Sequence, residues 1–383
     1  MSIRLSKDIG TIRAGLFERI EAVQDEYAAK GWLPARLNLN KGIARGIIEI
    51  FAWGLWQLYN FLDRIHRQAI PRESTGDWLD VHAAQVDESR KPATKTCGNV
   101  LFLRGDVSGN VRIPAGRIVR TKPDGTGTVY RYVTEALAVL PDGAESVAVP
   151  VTAEEYGQGS NAAPGQICEL VTPVEGVRGV TNAADWLTSE GADEESDASL
   201  QRRYVLAWQS QAGVTRAAYE AAALSVPGAV DVYVADQHPR GEGTVDVVIQ
   251  GSAGLPTARL LAEVRAALDE AIVINHDLLV KAPEPVSVEV KAVLELLSGD
   301  ADAIRAEAEN WVRAMFSPGD DPDIPRFSIG KDVVRDRLAS GPVSIAGVKR
   351  IRWESPAADV EIPAGGLAVL AELSLSTAWV KQA

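Results

Sequence analysis

The first 70 residues carry large apolar side chains at intervals of three and four. One set consists of Ile9, Ile12, Leu16, Ile20, Val23 and Tyr27. This spacing places the set on one stripe of an amphipathic α-helix, as in a coiled-coil seam or a helix bundle. Gly31 and Pro34 follow, and both residue types favour the end of a helix. The pattern predicts a first helix that buries one narrow face.

A second helix is predicted over residues 41–70, before Pro71, with two adjacent apolar stripes and further large side chains beside them. The residues that we assign to an interface are Ile43, Ile47, Ile50, Phe51, Trp53, Trp56, Leu58, Phe61, Leu62 and Ile65. One antiparallel neighbour covers a single stripe, and each large side chain left in water forfeits roughly 1.5–3 kcal/mol. We therefore expect a helix bundle between subunits. The alternative is that other domains of the same chain cover the second stripe.

The apolar period changes to two after the polar stretch 87–92, which we interpret as a linker. From Gly98 onward, short strand-like runs alternate with turn sequences such as Gly109-Asn110 and Pro141-Asp142-Gly143. Glycine permits positive φ and proline presets the second position of a turn. Strands this short and this frequently interrupted predict a β-rich domain of the sandwich or barrel type.

Helical spacing returns at Asp193, where the acidic run 193–197 is expected to occupy the first turn of a helix and to interact favourably with its dipole. Thr215 is the predicted cap of the next helix. The rest of the chain predicts two small α+β modules, each resembling a ββαβ unit with antiparallel or mixed sheets, and a late helix over 331–338. The predicted fold class is α+β multidomain. We divide the chain into an N-terminal helical bundle segment (1–92), a central β-rich domain (93–192) and two C-terminal α+β modules (193–285 and 286–383).

Composition and charge exclude several classes of protein. The chain has 383 residues and a formal net charge of −13, whereas a duplex DNA binder needs clustered basic residues. Its two cysteines, Cys97 and Cys168, lack metal-ligand spacing and are too few for a disulfide framework. The apolar stretch 47–62 is interrupted by polar residues and is shorter than a membrane span. We expect a soluble protein without nucleic-acid binding, membrane insertion or a secretory signal.

Sequence motifs for catalysis are missing. None of the four histidines, His66, His82, His238 and His276, has another histidine or a cysteine at ligand or relay spacing. Neither a nucleophile-elbow sequence, a zinc-binding histidine pair nor a phosphate-binding glycine loop occurs. A catalytic pair of carboxylates that are distant in sequence but close in the fold stays an open alternative, because the sequence alone does not exclude it. We expect no enzyme activity, no cofactor and no metal.

One region carries a more specific pattern, which runs from Tyr156-Gly157-Gln158-Gly159-Ser160-Asn161 to Arg202-Arg203. Its characteristic residues are Gly157, Gly159, Asn161, Gly165, Gly176, Val177, Val180, Asn182, Gly191, Asp193, Glu195, Ser196, Arg202 and Arg203. Together with Ile113-Pro114-Ala115-Gly116 upstream and Pro227-Gly228 downstream, this pattern resembles the baseplate J family over about residues 75–295. Where that family usually has Gly-Val, this chain has Ala229-Val230. From the residues themselves, we interpret the pattern as a hinge between the β-rich domain and the α+β part.

The resemblance implies a structural subunit of the baseplate wedge of a contractile phage tail. Proteins of that family surround the central spike and tube as a ring, and the ring relays the trigger for sheath contraction. The implied partners are further copies of the chain and a second wedge protein of the tail protein I type. A wedge protein with a lysozyme-like fold, the central spike or hub, and the sheath are also implied. The implied location is the virion tail baseplate, assembled in the cytoplasm of the bacterial host.

Two alternatives to this assignment are kept. The first is the same wedge role in a tailocin or another phage-derived injection machine, which the sequence of one subunit does not distinguish from a phage tail. The second is a receptor-binding or cell-wall-degrading tail protein, which differs in function class.

Overall fold

The computed structural model describes residues 6–32, 38–123, 127–210, 215–269, 276–319, 321 and 323–380. The chain divides into two compact units, residues 1–85 and residues 86–383. The first unit consists of the helices α1 (Ile9–Ala29), α2 (Ile43–Gln68) and α3 (Asp77–Ala84). Asp8 caps α1 by accepting a hydrogen bond from the Gly10 amide. Both long helices form where the apolar spacing predicts them, whereas Pro34, the predicted stop after α1, lies outside the described residues.

The central domain of the second unit is a nearly closed β-barrel. Its strands are β1 (Lys95–Leu103), β2 (Val111–Ile113), β3 (Ile118–Thr121), β4 (Arg131–Thr134), β5 (Ala138–Leu140), β6 (Ser146–Tyr156), β7 (Ile167–Leu170), β8 (Gly179–Thr181) and β9 (Leu187–Ser189). The main sheet has the order β7-β3-β4-β6-β1-β8, β9 pairs with β1, and β7 lies close to β8 at the open side. Strands β2 and β5 form a separate antiparallel pair.

The barrel core is filled by inward-facing residues of the alternating strands. Phe102, Tyr132 and Ile167 are fully buried, and the rings of Tyr132 and Trp186 meet edge to face with centroids 5.6 Å apart. The Tyr132 hydroxyl donates to the Ser160 carbonyl at 2.6 Å, which satisfies its polar atom inside an apolar core. The β-rich domain predicted from the period of two is thus confirmed as barrel-like.

Two α+β modules follow the barrel. The first contains α4 (Asp197–Ser210), α5 (Arg216–Ser225), β10 (Ala229–Ala235), β11 (Thr244–Gly251), α6 (Ala258–Asp269) and β12 (Asp277–Lys281). The second contains β13 (Glu284–Leu296), α7 (Ala301–Phe316), α8 (Arg335–Ser344), β14 (Val348–Ser355) and β15 (Gly366–Trp379). The predicted α+β fold class is confirmed, and Thr215 caps α5 through the Ala218 amide as predicted.

Each module has a three-stranded mixed sheet. In the first, the order β10-β11-β12 combines an antiparallel and a parallel pair, and β11 is buried along its whole length. One side of β11 packs on α5 and α6, while Val248 on the other side packs against Ile329 and Leu367 of the second module. In the second sheet β13 is central, antiparallel to β14 and parallel to β15.

Three expectations from the sequence were wrong in detail. The second module has the order βααββ instead of ββαβ, because its two helices follow the first strand. The late helix begins at Arg335, because Val333 forms an extended bridge with Val360 and cannot be helical. The acidic run 193–197 precedes α4, so that only Asp197 lies in the first turn of the helix.

Candidate functional site

Eight of the ten predicted interface residues form one exposed apolar face of α2. They are Ile43, Ile47, Ile50, Phe51, Leu58, Phe61, Leu62 and Ile65, and we call this surface the α2 face. Their exposed fractions range from 37% at Ile65 to 84% at Ile43. At about 100° per residue, they share an arc of about 120° of the helix circumference. The residues that the sequence assigned to two stripes therefore present a continuous surface.

The two predicted tryptophans lie off this face. Trp53 is 55% exposed and lies beside the α2 face, at its edge. Trp56 is half-buried and, from the helical periodicity, lies on the opposite side of the helix. The structure therefore brings eight predicted residues together and separates Trp56 from them.

The side of α2 opposite its exposed face packs on α1 within the first unit. Arg13 of α1 pairs with Glu49 of α2 at 3.6 Å, and the Arg45 guanidinium lies over the Phe17 ring at 5.7 Å. Because the partners run in opposite directions along the two helices, the hairpin is antiparallel. Ile48 and Ala52 of α2 are buried. One neighbouring helix thus covers one side of α2, as the sequence argument requires.

A surface of this kind is costly in water. Full burial of a large aliphatic or aromatic side chain is worth roughly 1.5–3 kcal/mol, and the α2 face holds eight such side chains. Contiguous exposed apolar surface on a folded chain is typical of a protein interaction site. The α2 face can therefore act as a docking surface for another apolar helix.

A second site lies where the chain leaves the barrel. We call it the junction and define it as residues 88–94, 157–161 and 190–203. Asn161 connects two of these segments: its Oδ1 accepts from the Gly191 amide and its Nδ2 donates to the Gly191 carbonyl, both at 2.8 Å. Oδ1 also accepts from the Thr96 hydroxyl of β1 at 2.8 Å. The side-chain amide of Asn161 thus holds the segment that leaves the barrel, at Gly191, against the barrel.

The glycines of the pattern fit closely packed positions in the junction. Gly157 has φ +114°, and a Cβ there would lie 2.5 Å from Oδ1 of Asp193, which accepts from the Gln158 amide at 3.1 Å. At Gly191 a Cβ would lie 2.4 Å from the Thr96 hydroxyl oxygen, and at Gly159 it would lie 2.5 Å from the Tyr130 hydroxyl oxygen. Side chains at these positions would push the segments apart.

A buried ion pair forms the centre of the junction. Glu195 and Arg203 are 7% and 4% exposed, and Glu195 accepts from Nη1 of Arg203 at 2.6 Å. Glu195 also accepts from the Lys91 amide at 3.0 Å, and Arg203 also pairs with Glu88. The sequence predicted that Glu195 would interact with the helix dipole, which it does not do. Instead, Glu195 anchors residues 88–91 to α4.

Neighbouring polar groups extend this network. Arg90 donates to Asp197 at 2.7 Å, and the Lys91 ammonium donates to the carbonyls of Leu224 and Ala229, each at 3.1 Å. Burial is the main cause that raises the pKa of Glu88 above its ordinary value, and the Arg203 guanidinium opposes it. The stretch 87–92, interpreted as a linker, is thus firmly attached along its second half.

Four residues of the pattern lie in the barrel wall, outside the junction. Asn182 accepts from the Ile167 amide and donates to the Ala163 carbonyl, both at 2.9 Å, and its own carbonyl accepts from the Gly165 amide at 2.9 Å. Val180 is in the barrel core and Val177 packs against it. These residues stabilise the barrel wall and do not belong to the junction.

Gly176, Ser196 and Arg202 are the remaining residues of the pattern. A Cβ at Gly176 would lie 2.7 Å from a methyl group of Val111. Ser196 accepts from the Ser199 amide at 3.2 Å at the start of α4, and Arg202 pairs with Asp231 of β10 at 3.1 Å. The hinge role assigned to the whole pattern stays a prediction.

Sequence reasoning missed Glu190. This side chain is 6% exposed, Oε1 accepts from the Thr257 amide at 2.7 Å, and burial raises the pKa of its carboxyl to about 7. Its partners lie more than 60 residues later in the chain, so no local pattern could have indicated the contact. Arg90 and Lys91 were also missed, although the charge density of 87–91 was a visible signal.

A cavity of about 410 Å³ opens beside the junction, with Lys91, Gln158, Asp193, Glu195, Ser252 and Asp321 among its lining residues. Across the described ranges, no cluster of three or more His, Cys, Asp or Glu side chains is arranged to hold a metal ion. Within the same ranges, no helix is long and apolar enough to cross a membrane. What these residues do chemically is hold protein segments together by hydrogen bonds and buried charge pairs.

Comparison with known proteins gives matches to the barrel and to the first α+β module of the second unit. Residues 101–189 match the family model described as the baseplate J-like protein barrel domain, and residues 211–293 match the baseplate J-like central domain. The putative baseplate protein gp29 of Haemophilus phage HP1 (strain HP1c1) is 28% identical over 215 residues. The matched part is 55% of this chain and 54% of that protein, so the chain spans about half the length of this curated relative.

A solved structure, the cryo-EM structure of the anti-feeding prophage (AFP) baseplate, 6-fold symmetrised, is similar at 11% sequence identity. The match covers 93% of this chain and 90% of that chain, with a TM-score of 0.36.

Proposed function

We propose that the chain is a wedge subunit in the baseplate of a contractile phage tail, a proposal supported by the matches of residues 101–189 and 211–293 to baseplate J-like domain models. In this role the protein is structural and has no catalytic function. Its copies contribute to a ring around the central spike and tube, and the ring relays the trigger for sheath contraction. The protein is located in the virion tail baseplate and is assembled in the cytoplasm of the bacterial host.

Within the structure, the α2 face is the observation that carries this proposal. Eight large apolar residues of one helix are exposed, and their burial would supply the free energy for docking against further helices. A helix with one side packed on α1 and another side in water is suited to a bundle of at least three helices. Such a bundle requires a partner that brings an apolar helix of its own.

The proposed partner at this surface is a second wedge protein of the tail protein I type, together with neighbouring copies of this chain. The lysozyme-like-fold wedge protein, the central spike or hub, and the sheath are proposed as further neighbours in the assembled tail. The junction supports a mechanical role, because its buried Glu195–Arg203 pair and the Asn161–Gly191 hydrogen bonds hold the barrel to α4. A subunit that transmits movement needs its domains to be coupled in this way.

Co-expression of the full-length chain with the second wedge protein from the same tail tests the proposal. The informative variant is Phe51→Glu with Leu58→Glu, since both residues are in the α2 face and are more than half exposed. We expect the wild-type chain to co-purify with the partner. The amount of partner captured by this variant should be at least about tenfold lower, because buried aromatic and aliphatic anchors dominate interfaces.

The matched control is Ala14→Glu with Ala22→Glu, which adds the same two charges at exposed positions of α1. The control should retain the partner. Equal capture by the wild-type chain and the α2 variant, or a wild-type chain that captures nothing, contradicts the proposal.

A further inference from the structure

Glu190 is a buried carboxyl at the contact between the barrel and the first α+β module. It follows β9 by one residue, and its side chain is 6% exposed. Oε1 accepts from the amide of Thr257, the residue before α6, at 2.7 Å. Oε2 is buried and has no hydrogen-bond partner among the described residues. One oxygen of this carboxyl is therefore satisfied and the other is not.

The carboxyl occupies a slot formed by backbone. A Cβ built on Gly251, at the end of β11, would lie 2.5 Å from Oε2, and one built on Gly228 would lie 3.6 Å from it. Gly251 is consequently a position where the Glu190 carboxyl takes the space of a side chain.

Adjacent hydrogen bonds close the same contact. Ser252 donates its hydroxyl to the Gly191 carbonyl at 2.9 Å, and Thr94 donates its hydroxyl to the Glu190 carbonyl at 3.2 Å. The groups that face the carboxyl come from three places: Thr257 before α6, Gly251 and Ser252 at the end of β11, and Gly228 before β10. All of these groups are uncharged.

Within the described parts of the chain Glu190 forms no ion pair, which distinguishes it from Glu195. Glu195 is equally buried, but it pairs with Arg203 at 2.6 Å. An ionised carboxylate that is buried without a cation is strongly disfavoured, and such a group accepts a proton instead. Burial accordingly raises the pKa of Glu190 to about 7, against the hydrogen bond from the Thr257 amide that lowers it.

We propose that Glu190 forms a proton-dependent contact between the barrel and the first α+β module, closed when the carboxyl is protonated and loosened when it ionises. The elements that separate on loosening are the end of β9 on one side, and the end of β11 with the start of α6 on the other. This inference rests on the geometry of the second unit and is independent of the proposed function.

The direction of the pH effect follows from linkage. The pKa of the closed form, about 7, is higher than the ordinary value, which the open form with its solvated carboxyl regains. The protonated carboxyl therefore stabilises the closed contact fully at low pH, and this stabilisation is lost as the pH rises toward 7. The opening equilibrium constant should rise roughly twentyfold between pH 5.5 and pH 7.5.

Hydrogen exchange of the full-length protein over this pH range tests the proposal. Protection factors, which correct for the intrinsic pH dependence of exchange, are measured for peptides that cover 187–192 and 250–258. In the wild-type protein, protection should fall by at least about tenfold from pH 5.5 to pH 7.5. The variant Glu190→Gln, whose side chain stays neutral, should lose this pH dependence.

Glu194→Gln is the matched control, because Glu194 lies four residues further on and is exposed; it should keep the wild-type profile. A wild-type profile that is flat between pH 5.5 and pH 7.5 overturns the proposal whether or not Glu190→Gln folds. An unchanged pH dependence in a folded Glu190→Gln variant overturns it as well.

Discussion

Asn161 and Gly191 form a reciprocal pair of hydrogen bonds, in which the Asn161 side chain accepts from the Gly191 amide and donates to the Gly191 carbonyl, both at 2.8 Å. This geometry mimics a pair of bonds between adjacent strands, although one partner is a side chain. It fixes the segment that leaves the barrel next to the end of β6. A side-chain amide supplies both the donor and the acceptor that this arrangement needs.

Replacement of Asn161 should therefore destabilise the second unit. In Asn161→Asp, the acceptor is kept, but a carboxylate oxygen faces the Gly191 carbonyl, and in Asn161→Ala both bonds are lost. Leaving buried polar groups without partners costs about 1–3 kcal/mol, and we expect both variants to fall in this range. Urea unfolding monitored by tryptophan fluorescence measures the effect.

Asn99→Ala is the control for this prediction, because Asn99 is an exposed residue of the neighbouring β1. Its effect should stay within about 0.5 kcal/mol, as for surface substitutions in general. Equal stability of the Asn161 variants and the control would show that the paired hydrogen bonds do not hold the exit segment.

Arg203→Met should be the most destabilising single change in the junction. Arg203 and Glu195 are both buried, and removal of one partner of a buried pair costs about 3–5 kcal/mol, because an uncompensated charge is left inside the protein. The double variant Glu195→Gln with Arg203→Met removes both charges and should recover part of this loss. Unfolding midpoints of the two variants give the comparison.

The adjacent residue offers a matched control. Arg202 pairs with Asp231 at 3.1 Å, but nearly half of its side chain is exposed, and exposed pairs contribute about 0–1 kcal/mol. Arg202→Met should therefore have a small effect. If Arg203→Met lowered the stability no more than Arg202→Met, this would contradict the claim that the Glu195–Arg203 pair stabilises the junction.

Local periodicity predicted the long helices and the β-rich character of the central domain, but it did not predict long-range pairing. The steps of three and four in α2 indicated both its extent and its exposed side, and Thr215 was recognised as a cap from its position alone. In contrast, Glu195 reaches Lys91 over 104 residues, and Glu190 reaches Thr257 over 67. Such contacts depend on topology, which spacing along the chain does not encode.

The errors in the sequence analysis have physical causes. The acidic run 193–197 has the composition of a helix start, yet tertiary pairing of Glu195 with Arg203 outweighs the small gain from the helix dipole. At Val333, pairing with Val360 across the module overrides the local helical preference. The parallel pairing of β13 with β15 needs two intervening helices and a further strand, so it was not visible from neighbouring segments.

Acid should weaken the first α+β module through Asp246. Its side chain is 2% exposed and is paired with Arg240 and Lys281, each at 2.7 Å. Burial alone would raise the pKa of Asp246, but the hydrogen bonds from Arg240 and Lys281 outweigh it and hold this pKa below its ordinary value. The stabilisation by the carboxylate is therefore present at neutral pH and is lost as the pH falls below about 4.

Asp246→Asn removes this charge and should destabilise the protein at pH 7, with a difference from wild type that shrinks toward pH 3. Thermal unfolding over this pH range measures the difference. Glu263→Gln is the control, because Glu263 pairs with Arg259 on the exposed surface of α6 and should show little effect at any pH. A constant difference between Asp246→Asn and wild type from pH 7 to pH 3 would contradict the prediction.

Without a partner, the α2 face should cause self-association of the isolated protein. Sedimentation velocity at increasing concentration should show larger species for the wild-type chain, because association buries part of the exposed apolar surface. The variant Phe51→Glu with Leu58→Glu should stay monomeric over the same range, and Ala14→Glu with Ala22→Glu should behave like wild type. Trp56 is unsuitable for this test, since it is half-buried away from the α2 face. Equal sedimentation of the α2 variant and the wild-type chain would show that the α2 face does not drive association.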